Sequence, residues 1–198
     1  QTTGVDGGCS HESLDGCNVS EVAQASLGGV PISIDRGFVG VDVPVSGTDY
    51  RFINTHLEVQ QLGDNPASIY FQTVQASELL ATILATLDAS KRYIVAGDFN
   101  SSPAHVSAIG QPTPYEQMTM LFTDIWPLRP GKPPGFTCCE LADLSNAPSQ
   151  HYERIDLVLT FPAPTKVKAN VLDAEVEDKT LSGLWPSDHA SVSAELTY

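Results

Sequence analysis

The chain has 198 residues, 41% hydrophobic and only 17% charged, so it can bury the core of one domain and is not a disordered segment. Its 15 glycines and 14 prolines favour a loop-rich β or α/β protein over a helical bundle, and no apolar run approaches the roughly 18 residues of a membrane-spanning helix. Ten basic residues against 24 acidic ones leave a net charge of −14, which argues against a basic nucleic-acid-binding face and for an acidic, solubilising exterior.

Residues 1–36 read as an irregular Cys- and Gly-rich segment. Gly4, Gly7, Gly8, Gly16, Gly28 and Gly29 interrupt any periodic pattern, and Pro31 follows. Cys9 and Cys17 bracket a Gly/Ser/Asp-rich loop and are spaced for closure, while Cys138 and Cys139 are adjacent. Four cysteines allow three pairings, and sequence does not choose among them. The spacing is not that of a usual zinc site. A disulfide, few lysines and an acidic balance point to an oxidising compartment, extracellular or periplasmic. Asn18-Val19-Ser20 is a glycosylation sequon. Gln1 stands first and no signal segment is visible, so the start is expected to be a processed or cut terminus.

Val39, Val41, Val43 and Val45 alternate with other residues as in a strand. Ser46-Gly47-Thr48-Asp49 signals a turn, and Tyr50 to Leu57 a second strand, so residues 38–57 are expected to form a hairpin. Tyr50, Phe52, Asn54 and His56 then share one face. Asn65-Pro66 suits a helix start, and Ala76, Leu80, Ile83, Leu84 and Leu87 recur at helical spacing, which predicts a helix over 66–88. Tyr93, Ile94 and Val95 form a compact strand ending at Gly97. Strand, helix, strand over 50–97 favours a parallel pairing. Residues 101–116 read as a proline-rich surface loop and 118–126 as a short helix or turn. Further strands are expected at 154–160, 166–176 and 191–196. No internal repeat is present.

Four short phrases carry the chemistry: Asn54-Thr55-His56-Leu57, Gly97-Asp98-Phe99-Asn100, Arg154-Ile155-Asp156-Leu157 and Ser187-Asp188-His189. Each sits beside an apolar, β-prone run. Asp98 would stand at the C-terminal edge of a strand, where open sheets build sites, with the Asn100 amide close by. Taken singly, Gly-Asp-x-Asn is also ordinary turn chemistry, and His56 also suits a hydrogen-bonded core position. Asp156 lies inside an apolar run and is costly to bury unpaired, so it calls for a partner such as a histidine. Asp188 and His189 precede the last strand after Pro186.

Their order, His, Asp-x-Asn, Asp, Asp-His, resembles that of the endonuclease/exonuclease/phosphatase superfamily over about residues 37–198. The Phe136–Cys139 and Glu153–Asp156 stretches look most like its secreted bacterial members. The resemblance implies a deoxyribonuclease I-like α/β fold, two face-to-face sheets flanked by helices. It further implies a phosphoesterase, a phosphodiesterase, nuclease or phosphatase, acting by in-line water attack with Mg²⁺, Mn²⁺ or Ca²⁺. On that resemblance Asp98 and Asn100 would orient or deprotonate the water, and Asp156 would orient His189. His189 and His56 would contact phosphate or leaving group, and Asp188, with Asp98 and Asn100, would lie at the metal.

Family members also carry an early Asn and a metal-binding Glu. Before His56 this chain has only Glu12 and Glu21, neither ending an apolar strand. The expectation is therefore the C-terminal part of a larger domain, its first strands supplied by an N-terminal fragment, or else an inactive binding module on the same scaffold. The substrate would be a nucleic acid, a lipid head group or a small phosphoester. Arg36, Tyr115, Trp126 and Trp185 are candidates for shaping recognition, Trp185 having the best claim to line a cleft.

Overall fold

The computed structural model describes residues 16–20, 23–60, 66–107, 109–131 and 133–198. Cys9, Glu12, Glu21 and Asn65 lie outside that set, so the expectations placed on them, the Cys9–Cys17 closure among them, fall outside it too.

The expected hairpin forms from β4 (Gly37–Val45) and β5 (Thr48–His56), antiparallel and joined at Ser46-Gly47, both with positive φ. The crossover follows. Helix α1 (Pro66–Ala85) leads to β6 (Arg92–Asp98), which pairs parallel to β5. Strand β8 (Asp156–Phe161) then adds antiparallel to β6, and β7 (Thr123–Asp124) caps that edge. With β1 (Gly16–Asn18) at the other edge, the sheet order is β1-β4-β5-β6-β8-β7.

The described residues between 16 and 34 are not irregular as expected. They hold β1 and a separate hairpin, β2 (Ala23–Leu27) with β3 (Val30–Ile34). Two of the glycines that obscured the pattern sit at the bend: Gly28 and Gly29 take φ of 60° and 84° between β2 and β3.

One sheet face is closed by α1. Ala76, Leu79, Leu80 and Ile83 pack with Ile53, Tyr93, Val95, Leu157 and Leu159 in the main core. Side chains of this size buried fully contribute about 1.5–3 kcal/mol each. The helix stops at Ala85, short of the expected 88, because Thr86 and Leu87 donate to Ile83 and Leu84 carbonyls in tighter turns. The opposite face is covered only in part. Strands β9 (Lys166–Leu172) and β10 (Ser191–Thr197) form an antiparallel pair whose Val167, Ala169, Val171, Val192 and Leu196 pack with Ile125, Trp126 and Val158. Beyond it, Val39 (55% exposed), Val41 (53%) and Phe52 (37%) remain open to solvent.

A further correction concerns residues 101–116. A helix, α2 (Pro114–Thr119), begins inside that expected loop, set by a Thr113–Glu116 capping box with Pro114 at its first position. Among the described residues no helix is long and apolar enough to cross a membrane.

Candidate active site

Register brings three of the phrases together. His56 pairs with Asp98 across β5–β6, and Asp98 with Asp156 across β6–β8, so the three stand in one row on the partly open face. Such neighbours lie about 4.8 Å apart across a sheet. Gly97 makes the close packing possible: its φ is 152°, and a Cβ there would strike the Thr55 carbonyl oxygen.

His56 Nε2 lies 3.2 Å from Asp98 Oδ2. Asn100 braces the same carboxylate, its backbone N–H donating to Oδ1 at 2.8 Å and its side-chain amide to Oδ2 at 3.2 Å. That amide also donates to the Leu57 carbonyl at 3.0 Å. Asn100 itself takes φ of 47°, a left-handed conformation that Asn tolerates better than most residues.

The fourth phrase arrives through residues 137–140. This segment runs between two others: Thr137 and Cys138 N–H groups donate to Glu153 O, while Ala190 N–H donates to Thr137 O and Glu140 N–H to Asp188 O. It thereby draws 187–190 alongside β8, and His189 Nδ1 reaches Asp156 Oδ2 at 2.8 Å. The Asp156 hydrogen bond raises the His189 pKa above its ordinary value against the opposing effect of burial, with the Asp156, Asp98 and Asp188 charges adding to the rise. Cys138 and Cys139 are joined to each other by a disulfide, and Cys139 Sγ lies 3.8 Å from His189 Nε2.

His56, Asp98, Asn100, Cys138, Cys139 and His189 line a cavity of about 890 Å³, with Asp156 behind the His189 ring. The ligand atoms of Asp98, Asp156 and His189 all fall within 4.8 Å of one another. The Asp98 and Asp156 carboxylates suit a hard divalent cation, so the oxygen donors of the set fit one. Asp188 lines the cavity but belongs to no such group among the described residues, and its Oδ1 accepts from Ser187 Oγ at 3.4 Å. Asn100 supports Asp98 from below.

One expectation fails. Trp185 is 1% exposed and donates from Nε1 to the Asn146 carbonyl at 2.8 Å, so it is core and lines no cleft. Arg36 is held by Glu58 at 3.2 Å beside a separate cavity of about 300 Å³, which it shares with His56. Tyr115 and Trp126 pack in the interior: Tyr115 donates to Asp124 Oδ2 at 3.0 Å and the Trp126 indole to Pro133 O at 2.8 Å. Sequence reasoning missed His105 and Glu153, which face the cavity 3.4 Å apart. Glu153 stood in the quoted Glu-Arg-Ile-Asp stretch; His105 had no signal in its proline-rich surroundings.

The model of the Endonuclease/Exonuclease/phosphatase family matches residues 23–189. The chain belongs to this family. Its members are hydrolases acting on phosphoesters. No curated protein sequence matches the chain. Solved structures do. An endonuclease/exonuclease/phosphatase from Beutenbergia cavernae DSM 12333 is 24% identical with a TM-score of 0.56, over 83% of this chain and 40% of that one. A beta toxin from Staphylococcus aureus is 16% identical with a TM-score of 0.58, over 81% of this chain and 57% of that one. D. rerio TDP2, complexed with a single strand DNA product, is 21% identical with a TM-score of 0.53, over 79% of this chain and 60% of that one. The chain thus spans 40–60% of these neighbours. At such identities they establish the fold, the α/β architecture of deoxyribonuclease I-like proteins.

Proposed function

We propose that this chain carries the proton-handling side of a divalent-metal-dependent phosphoester hydrolase, of the secreted bacterial kind, working outside the cytoplasm. The observation that carries the reading is the row His56, Asp98, Asp156 with His189 joined to Asp156 at 2.8 Å, all at one end of the sheet. Asp98 and Asp156 are the carboxylates that would hold Mg²⁺, Mn²⁺ or Ca²⁺, whose charge offsets that developing on the phosphate oxygens.

The chain's own groups divide the remaining work. Asp98, fixed by both Asn100 nitrogens, accepts a hydrogen bond from the attacking water and orients it in line with the leaving group. Asp156 holds His189 through Nδ1, which leaves Nε2 to donate to a phosphate oxygen. His56, at the cavity mouth, donates to phosphate or to the departing oxygen.

The open face with Val39, Val41 and Phe52 leads us to propose a further layer of the same protein packed there, an N-terminal portion that completes the domain. The limited share of the neighbouring structures covered by this chain supports it. Metal-dependent cleavage of bis-p-nitrophenyl phosphate by the full-length protein, lost on chelation and in His189→Ala, is the expected result. No cleavage by the metal-loaded wild type would favour a non-catalytic binding module, and full cleavage by His189→Ala would remove His189 from the mechanism. A nucleic-acid substrate predicts binding that falls steeply with salt; a small phosphoester predicts a weak response.

A further inference from the structure

The adjacent cysteines play no part in that chemistry, yet they stand on the wall of the same cavity. Cys139 Sγ is 3.8 Å from His189 Nε2, and the other ring nitrogen is held by Asp156. In its neutral form an imidazole that gives its Nδ1 proton to a carboxylate keeps a lone pair on Nε2, the arrangement usual for metal-binding histidines. The gap is also the right size. With metal–sulfur and metal–nitrogen bonds of about 2.3 and 2.0 Å, a tetrahedral cation bridges atoms roughly 3.6 Å apart. Cys138 Sγ, bonded to Cys139 Sγ in the oxidised chain, also lies within 4.8 Å of a His189 ring nitrogen.

We propose that reduction of the Cys138–Cys139 disulfide creates a site for a thiophilic d¹⁰ cation, Zn²⁺ or Cd²⁺, made of two thiolates and His189 Nε2 with the fourth position open to water. A phosphine accomplishes the reduction: the S–S bond breaks, the phosphine takes the oxygen of one water to become its oxide, and both water protons end on the thiols. The cation then displaces the two thiol protons. In the oxidised chain the sulfurs are not thiolates and the site does not exist. Sequence spacing alone disfavours zinc here; the fold adds the third ligand from 50 residues away. On the phosphoesterase reading, capture of Nε2 also stops hydrolysis.

The test is a Cd²⁺ titration of phosphine-reduced protein, freed of reductant and followed by thiolate-to-metal ultraviolet absorption. The reduced wild type is expected to take up about one equivalent with the absorption of two thiolates. The oxidised protein should give none, and Cys139→Ser and His189→Ala should each weaken binding at least about tenfold. Circular dichroism checks that both variants fold. X-ray absorption on Zn²⁺-loaded reduced wild type needs no variant and should count two sulfurs and one nitrogen from protein. Absence of the band overturns the proposal. So does equal affinity in His189→Ala, or an unchanged band in a Cys138→Ser/Cys139→Ser double variant, which would assign the metal to Cys9 and Cys17. None of these readouts requires hydrolysis, so failure of the enzymatic reading leaves them intact.

Discussion

Two carboxylate–imidazole pairs flank residues 137–140 and behave in opposite ways. Asp156–His189 is 2.8 Å apart with side chains 22% and 25% exposed. Glu140–His151 is 3.2 Å apart with side chains 0% and 5% exposed. In the first pair the hydrogen bond dominates and the imidazole titrates higher than usual. In the second, burial dominates and the His151 pKa falls despite the Glu140 charge. Geometry explains the difference. Glu140 Oε2 accepts from Gln150 N–H at 3.0 Å and from the Asn146 amide, whereas Glu140 Oε1 and His151 Nε2 are near each other without an aligned hydrogen bond. Burial opposes the Glu140 charge, but the Asn146, Ser149 and Gln150 hydrogen bonds with the His151 charge together outweigh it and lower its pKa. One pair therefore keeps a proton at a cavity, and the other organises a loop.

The largest effect expected from breaking this contrast is on catalysis. Asp156→Asn should reduce turnover by about 10²–10⁴-fold, since it removes the anion that orients and charges His189, with little change in the urea midpoint. Glu140→Ala should do the reverse. Leaving the Asn146 amide and Gln150 N–H unsatisfied inside the protein should cost about 3 kcal/mol in urea unfolding. Turnover per folded molecule should change far less than in Asp156→Asn. A large loss of turnover in a stable Glu140→Ala protein would mean that its link from Glu140 N–H to the Asp188 carbonyl, 2.8 Å long, transmits more than loop order.

The first pair was legible before folding and the second was not. Asp156 sits in an apolar strand where an unpaired carboxylate is costly, so a histidine partner could be inferred from the sequence. Glu140 and His151 stand in a proline- and serine-rich stretch with no periodicity, and their burial comes from tertiary packing alone. The same limit applies elsewhere. The β4–β5–β6 sheet was readable from alternation and a crossover, but the register that aligns His56, Asp98 and Asp156 was not, because a pairing offset leaves no trace in one strand's sequence. Trp185 looked like a cleft residue from its place beside Pro186 and Asp188; the Asn146 carbonyl that takes its indole N–H is 39 positions away. The α2 cap was obscured by the surrounding prolines, although Thr113, Pro114 and Glu116 carry the full capping-box pattern.

The smallest effect is the sharpest discriminator, the pH dependence. In metal-free protein the His189 imidazole should titrate above an ordinary histidine and His151 below it, each followed by its ring-proton resonances. The signs for stability then oppose. A raised folded pKa means the native state binds its proton more tightly, so the His189 contribution is full below the unfolded value and is lost as pH rises through the folded one. A lowered folded pKa favours the neutral ring in the native state. The His151 contribution is therefore present above the unfolded value and is lost as pH falls through the folded one. Asp156→Asn should bring the His189 midpoint down and flatten the first slope while leaving the second. If both histidines titrate together in wild type, or if Asp156→Asn shifts His151 as much as His189, the pairs are one coupled network and their separate roles collapse.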